Sequence, residues 1–238
     1  DGLVTCSELL KKDSYNITII LLTDTFSDNE VFLKGLGLIR SDVKIFDISD
    51  MADNLKEVES ELLTVNVLID AIFGIGLSRK IKNPLKSYIN KIQNFLNEDV
   101  FRIAVDVPTG VDSDKGEIDS DVLKVDLTLA LGYAKLAHFT QPAASFCGEV
   151  KVLDIGIPDQ KFKGIDLDLI TEEFVSSKIP TRELESNKGS FGKVMIVGGS
   201  DEFIGASALA GIAASRTGAG LITSAIPRSI VPSFTYLF

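Results

Sequence analysis

Apolar residues in this chain fall into short, nearly unbroken runs, and amphipathic stretches separate those runs. An opening segment has helical spacing. "NITIILL" (Asn16–Leu22) then reads as a strand, Asn29 to Ile39 as a helix, and "VKIFDI" (Val43–Ile48) as a second strand. Asp53 to Leu63 reads as a charged, exposed helix, and "VNVLIDAI" follows as a strand. Pro84 to Leu96 reads as a helix with proline near its first turn. "FRIAVDV" (Phe101–Val107), "VDLTLAL" (Val125–Leu131) and "EVKVLDI" (Glu149–Ile155) are further strands. Strands that are apolar throughout, rather than alternating, mark a parallel sheet buried on both faces. Their alternation with helices predicts an α/β fold, a Rossmann-like, doubly wound three-layer αβα sandwich.

The pattern restarts after residue 160. Glycine, proline and charges cluster between Gly156 and Asp168 as a linker. "KVMIVGGS" (Lys193–Ser200), a small-residue helix from about Ile204 to Thr217, and "GLITSAI" (Gly220–Ile226) then form a fresh βαβ unit. Two domains are expected, 1–160 and the beginning of a second α/β domain over 168–238. About 70 residues do not complete such a domain. The chain opens on Asp1 rather than methionine and stops at Phe238 without a helix stop signal, so a fragment of a longer protein is expected.

The 238 residues are 45% hydrophobic, ample for a core, and carry a net charge of −10. That charge opposes a nucleic-acid or anionic-membrane partner, since both need a cationic face. No apolar run reaches the roughly 18–20 residues of a membrane span. Cys6 and Cys147 are too few for a disulfide framework or a cysteine zinc site. A reducing, cytoplasmic setting is the expectation.

In open parallel sheets ligands bind outside the carboxyl ends of strands. Asp70 sits at such an end, and Gly74-Ile75-Gly76-Leu77-Ser78-Arg79-Lys80 follows it. Glycine-rich backbone suits phosphate, with Arg79 or Lys80 supplying charge; an ordinary turn with solvated cations fits equally well. "AVDVPTGVDSDKG" (Ala104–Gly116) places Asp106 at the next strand end, where a carboxylate costs free energy unless paired or used. Pro108 and Gly110 set a turn that presents the Thr109 hydroxyl, while Asp112 and Asp114 read as loop decoration. Two acids and a hydroxyl in one crevice suit a cation or proton transfer; turn capping is the competing role. Lys135, in "LGYAKLAHFTQP", is either an acid/base partner for Asp106 or a solvated lysine. His138 is the only histidine, which rules out a His-pair metal site, and it reads as a loop or core residue. "NKGSFGKVMIVGGS" fits neither GxGxxG nor a P-loop, and no GxGxxG follows the early strands, which disfavours an ordinary nicotinamide dehydrogenase.

Taken together, "DAIFGIGLSRK", "AVDVPTGVDSDKG", "VDLTLALGYAKLAH" and "GEVKVLDIGIP" resemble, in order and spacing, the epimerase domain of the bifunctional NAD(P)H-hydrate repair enzymes. Asp1-Gly2 is similar to the tail of that family's Asn-Asn-Gly-Gly-Asp-Gly motif. "NKGSFGKVMIVGGS…GASALAGIAASRTGAGLITSAIP" resembles the start of the fused, ribokinase-like, ADP-dependent dehydratase domain.

The resemblance implies interconversion of R and S hydrates of NADH and NADPH by the first domain. The complete second domain would dehydrate the S form with ADP or ATP. It implies Asp70 and Thr109 as potassium ligands, Gly74 to Lys80 as the phosphate loop, Asp106 at the reacting ring, and Asp106 with Lys135 as the acid/base pair. A homo-oligomer binding NAD(P)H-hydrate, with no nucleic acid and no membrane, is expected. The alternative is a non-catalytic dinucleotide-binding or interaction module of the same fold. Departures from the family pattern are Thr109 in place of serine, Ile75 in place of threonine, Asn187 in place of histidine, and the missing first part of the Asn-Asn-Gly-Gly-Asp-Gly motif.

Overall fold

The computed structural model describes residues 1–12, 15–22, 37, 43–47, 55–77, 80–157, 167–181 and 183–237. The chain divides into two compact units, Asp1–Gln160 and Lys161–Phe238.

In the first unit, helix α1 (Gly2–Leu10) precedes β1 (Thr18–Leu21) and β2 (Lys44–Asp47), which pair in parallel. Next come α2 (Leu55–Leu62), β3 (Val67–Asp70), α3 (Leu85–Phe95), β4 (Phe101–Val105), β5 (Leu127–Leu131), a short α4 (Ala144–Cys147) and β6 (Glu149–Leu153). Strands β3, β4, β5 and β6 form one parallel sheet in sequence order. This is the expected α/β architecture with parallel strands. The predicted helix Asn29–Ile39 lies outside the described residues, Gly37 apart.

Amphipathic spacing decides which helix faces turn inward. Val58 and Leu62, four apart on α2, and Ile89 and Ile92, three apart on α3, are buried. They join Leu22 of the β1 end, Phe46 of β2 and Ile81 in one core cluster. A second cluster of Val107, Val111, Val122, Ala137 and Ala143 lies beneath the loops that follow β4 and β5.

One expectation needs correction. The four-stranded sheet is not buried on both faces among the described residues. Asp70, Ala104, Thr128 and Ala130 are buried, but the alternate positions stay open, with Val67 49% and Phe101 46% exposed. The physical reason lies in the helices: α2 and α3 commit their apolar stripes to the cluster around Leu22 and Phe46. An apolar run therefore reports strand propensity here, and double-sided burial does not follow from it.

The second unit contains α5 (Glu172–Lys178), β7 (Lys193–Val197), α6 (Ile204–Thr217), β8 (Leu221–Ala225) and α7 (Val231–Phe234). Strands β7 and β8 pair in parallel across α6, as the sequence pattern predicts. Ser207, Ala208 and Gly211 form the buried stripe of α6, so small side chains bring it close to its neighbours. The helix ends at Gly218, whose left-handed backbone (φ 105°) lets its N–H reach the carbonyls of Ala214 and Ser215. Helix α5 has no counterpart in the predicted elements. The Thr171 hydroxyl accepts from the Phe174 N–H at 3.2 Å to start it, with Glu172 and Glu173 in its first turn.

Candidate active site at the carboxyl ends of β3, β4 and β5

Asp70 is the last residue of β3 and Ala104 is its partner on β4, so the loops leaving the two strands start side by side. The Asp70 carboxylate is 2% exposed. Its Oδ2 accepts from the Thr109 N–H at 2.7 Å, and its Oδ1 accepts from the Thr109 hydroxyl at 2.7 Å and the Ile72 N–H at 3.3 Å. Burial pushes the Asp70 carboxyl above its ordinary value, against the opposing pull of Thr109 and Ile72. Among the described residues no cation pairs with it. A buried carboxylate with neutral donors only is chemically short of a positive charge.

Thr109 is fully buried and also accepts from the Phe73 N–H at 3.3 Å. Its hydroxyl thus ties the start of the Gly74 loop to the turn after β4. That turn depends on Gly110. Its φ of 97° lies in the left-handed region, and a Cβ there would stand 2.8 Å from the Val122 Cα.

Asp106 follows β4 with φ 70°, the one positive-φ position held by a residue other than glycine among the described residues. Aspartate tolerates this conformation better than most residues, but at a strain cost. Its N–H donates to the Leu129 carbonyl at 2.9 Å. Oδ1 accepts from the Leu131 N–H at 3.0 Å and forms a salt bridge with the Lys135 ammonium. Lys135 Nζ also donates to the Leu131 carbonyl at 2.9 Å, and both side chains of the pair are largely withdrawn from solvent. Oδ2 has no hydrogen-bond partner among the described residues. It faces Gly74, where an added Cβ would lie 3.7 Å away.

The structure therefore brings Asp70, Thr109, Asp106, Lys135 and Gly74 together. The turn continues from Gly74 to Leu77 through a 3.4 Å backbone bond, and Ile75 is exposed. Ser78 and Arg79 lie outside the described residues; Gly76 and Lys80 lie within them, and neither forms a hydrogen bond or ion pair with Asp106. The far end of the loop is fixed at Ile81, whose N–H donates to Asp119 Oδ2 at 2.8 Å. Asp119 in turn donates its own N–H to the Gly110 carbonyl at 2.7 Å. Burial alone would raise the Asp119 carboxyl, but bonds from Ile81 and Ser120 outweigh it and hold it below its ordinary value.

His138, set aside on sequence grounds, is part of this cluster. It ends a 3-10 turn (Leu136–His138) and is 3% exposed. Nδ1 lies 3.1 Å from the Lys135 N–H and Nε2 lies 2.9 Å from the Asp106 carbonyl. Burial is the main influence lowering its pKa. No sequence signal marks it, since the contact depends on the 3-10 turn that returns the ring to Lys135.

The family model described as YjeF-related protein N-terminus matches residues 1–137, more than half of the chain. The chain belongs to this family. Within reach of the family are curated proteins named bifunctional NAD(P)H-hydrate repair enzyme Nnr. The one from Dictyoglomus turgidum is 34% identical over 235 residues, covering 97% of this chain and 43% of that protein. The one from Moorella thermoacetica is 35% identical over 239 residues, with the same 97% and 43% coverage. The chain thus spans less than half the length of these curated relatives. A crystal structure of yeast ynu0 superposes with a TM-score of 0.48 at 22% identity, over 78% of this chain and 68% of that chain.

Proposed function

We propose that the first unit is an NAD(P)H-hydrate epimerase, which interconverts the R and S forms of hydrated NADH and NADPH. The observation that carries this reading is the Asp106–Lys135 pair, with one carboxylate oxygen held by donors and the other turned toward Gly74. Inverting the hydroxylated carbon requires one proton to be delivered and one removed at the group that leaves and returns. In this reading Asp106 Oδ2 exchanges that proton. Lys135 and the Leu131 N–H hold Oδ1 in place, so that Oδ2 points one way. General acid–base transfer of this kind contributes about 10²–10⁴-fold in rate.

The loop from Gly74 to Lys80 is the proposed phosphate-binding segment, because glycine backbone offers N–H groups beside Asp106. Asp70 and Thr109 would hold potassium. The fit rests on a buried carboxylate above its ordinary pKa that lacks a cationic partner among the described residues. Potassium, when bound, supplies a fixed positive charge near the substrate phosphates. The residues themselves tie the loop after β3 to the turn after β4.

The second unit, residues 168–238, is read as the beginning of the dehydratase domain fused to such epimerases, which would use ADP or ATP on the S form. Relatives carrying the repair-enzyme name align across both units, which supports that reading. The chain contains no helix long and apolar enough to cross a membrane among the described residues.

Purified R and S hydrates, incubated separately with the protein and resolved by chromatography, test the assignment. An epimerase brings both to the same mixture. A dinucleotide-binding module would bind each and leave it unchanged.

A further inference from the structure

We propose that His138 is the positioning residue of this site: a neutral imidazole, protonated at Nε2 alone, that holds Asp106 and Lys135 in register. This deepens the epimerase reading and rests on it for the catalytic consequence.

The two partners of the ring fix its tautomer. The Lys135 backbone N–H can only donate, so Nδ1 must carry a lone pair. The Asp106 carbonyl can only accept, so Nε2 must carry the hydrogen. Both ring nitrogens are used, and the ring is 3% exposed, so no edge is left for a substrate. A role in holding the site follows from this geometry, and a direct role in proton transfer does not.

Asp106 needs such support. Its φ of 70° is a sparsely populated conformation that persists where surrounding bonds over-determine it. The N–H of Asp106 is tied to Leu129 and its carbonyl to His138, so both sides of the strained residue are clamped. The same ring fixes the backbone of Lys135, which carries the cation that meets the Asp106 carboxylate. One side chain therefore sets the two backbones whose side chains form the acid/base pair. The short 3-10 turn from Leu136 brings the imidazole back over the Lys135 N–H.

Three substitutions separate the two contacts. In His138→Asn the amide oxygen replaces Nδ1 and keeps the Lys135 bond. In His138→Gln the amide nitrogen replaces Nε2 and keeps the Asp106 bond. His138→Leu keeps volume and loses both. The account expects His138→Gln to stay within about threefold of wild-type kcat. It expects His138→Leu to fall about 10²-fold, the scale of a 1 Å misplacement, with KM changed little. His138→Asn falls between them. Equal loss in all three variants, in step with their thermal unfolding, would mean that the ring only fills space and would overturn the proposal. So would full activity in His138→Leu.

A readout independent of turnover keeps the two readings apart. Nitrogen NMR of the ring is expected to show the neutral Nε2–H tautomer across about pH 5–8, the span in which an ordinary histidine gains its charge. The Lys135 amide is expected to exchange slowly in wild type and His138→Asn and faster in His138→Gln and His138→Leu. An Nδ1–H tautomer, or unchanged exchange in His138→Leu, refutes the positioning role. If wild type shows these NMR signatures without converting either hydrate, the epimerase reading fails and the structural clamp stands.

Discussion

Asp70 and Thr109 lie 39 residues apart in sequence and meet twice, N–H to Oδ2 and hydroxyl to Oδ1, each at 2.7 Å. The pair makes two consecutive strand ends into one unit. The Phe73 N–H on the same hydroxyl extends it to the glycine loop.

Thr109→Val should destabilise the first unit by about 1–3 kcal/mol, because it leaves Asp70 Oδ1 with only the 3.3 Å bond from the Ile72 N–H and leaves the Phe73 N–H without its partner. Thr109→Ser keeps the hydroxyl and should cost clearly less. Chemical denaturation of the two variants beside wild type checks the order. A cost for Thr109→Ser as large as that for Thr109→Val would contradict a dominant role for the hydroxyl.

If Asp70 holds potassium, the ion should raise the unfolding temperature, by the equivalent of about 2.7 kcal/mol at about a hundred times its dissociation constant. Asp70→Asn should abolish the shift while leaving a folded protein, since the amide is nearly isosteric and removes the buried charge. Thermal unfolding across a potassium titration reads this directly. A full shift in Asp70→Asn would move the ion elsewhere.

Gly110→Ala should cost about 1–3 kcal/mol, since φ is 97° and the new methyl would meet the Val122 backbone at 2.8 Å. Calorimetry of the purified variant measures it. A change within 0.5 kcal/mol, about the effect of a neutral surface substitution, would contradict the described turn.

Acid sensitivity should trace in part to Asp121. The Lys86 ammonium, then the Ser120 hydroxyl and the Asn90 amide, lower its carboxyl from 3.8 to about 2. A carboxyl depressed in the fold stabilises it when ionised. That contribution is complete above the unfolded value of 3.8 and is lost as pH falls through about 2. Asp121→Asn should therefore be less stable than wild type at neutral pH, with the gap closing below pH of about 4. Thermal unfolding against pH tests it, and a constant gap would refute the assignment.

Much of this site was legible because carboxylates at the ends of apolar runs stand out. Asp70 and Asp106 each close a strand-like segment, and a buried acid demands a partner. Lys135 was legible for the same reason, as a cation just past another strand end. His138 was not, since a lone histidine has no spacing to reveal it. Its meaning comes from a 3-10 turn that returns the ring to the Lys135 backbone, a contact that no periodicity encodes. The open face carrying Val67 and Phe101 was misread because β propensity and burial both favour the same residues. Asp119 was also silent: its importance lies in bridging Ile81 and Gly110, which sequence distance conceals.

The central claim is that Asp106 performs proton transfer during epimerisation. The most direct measurement is conversion of purified R hydrate, in potassium, coupled to an S-specific dehydratase, for wild type and Asp106→Asn. Asparagine also tolerates the left-handed backbone of Asp106, so the fold is kept while the proton-exchanging oxygen is removed. The account predicts turnover by wild type and a loss of about 10²–10⁴-fold in the variant, with unfolding temperatures alike. Equal turnover by both proteins would contradict it.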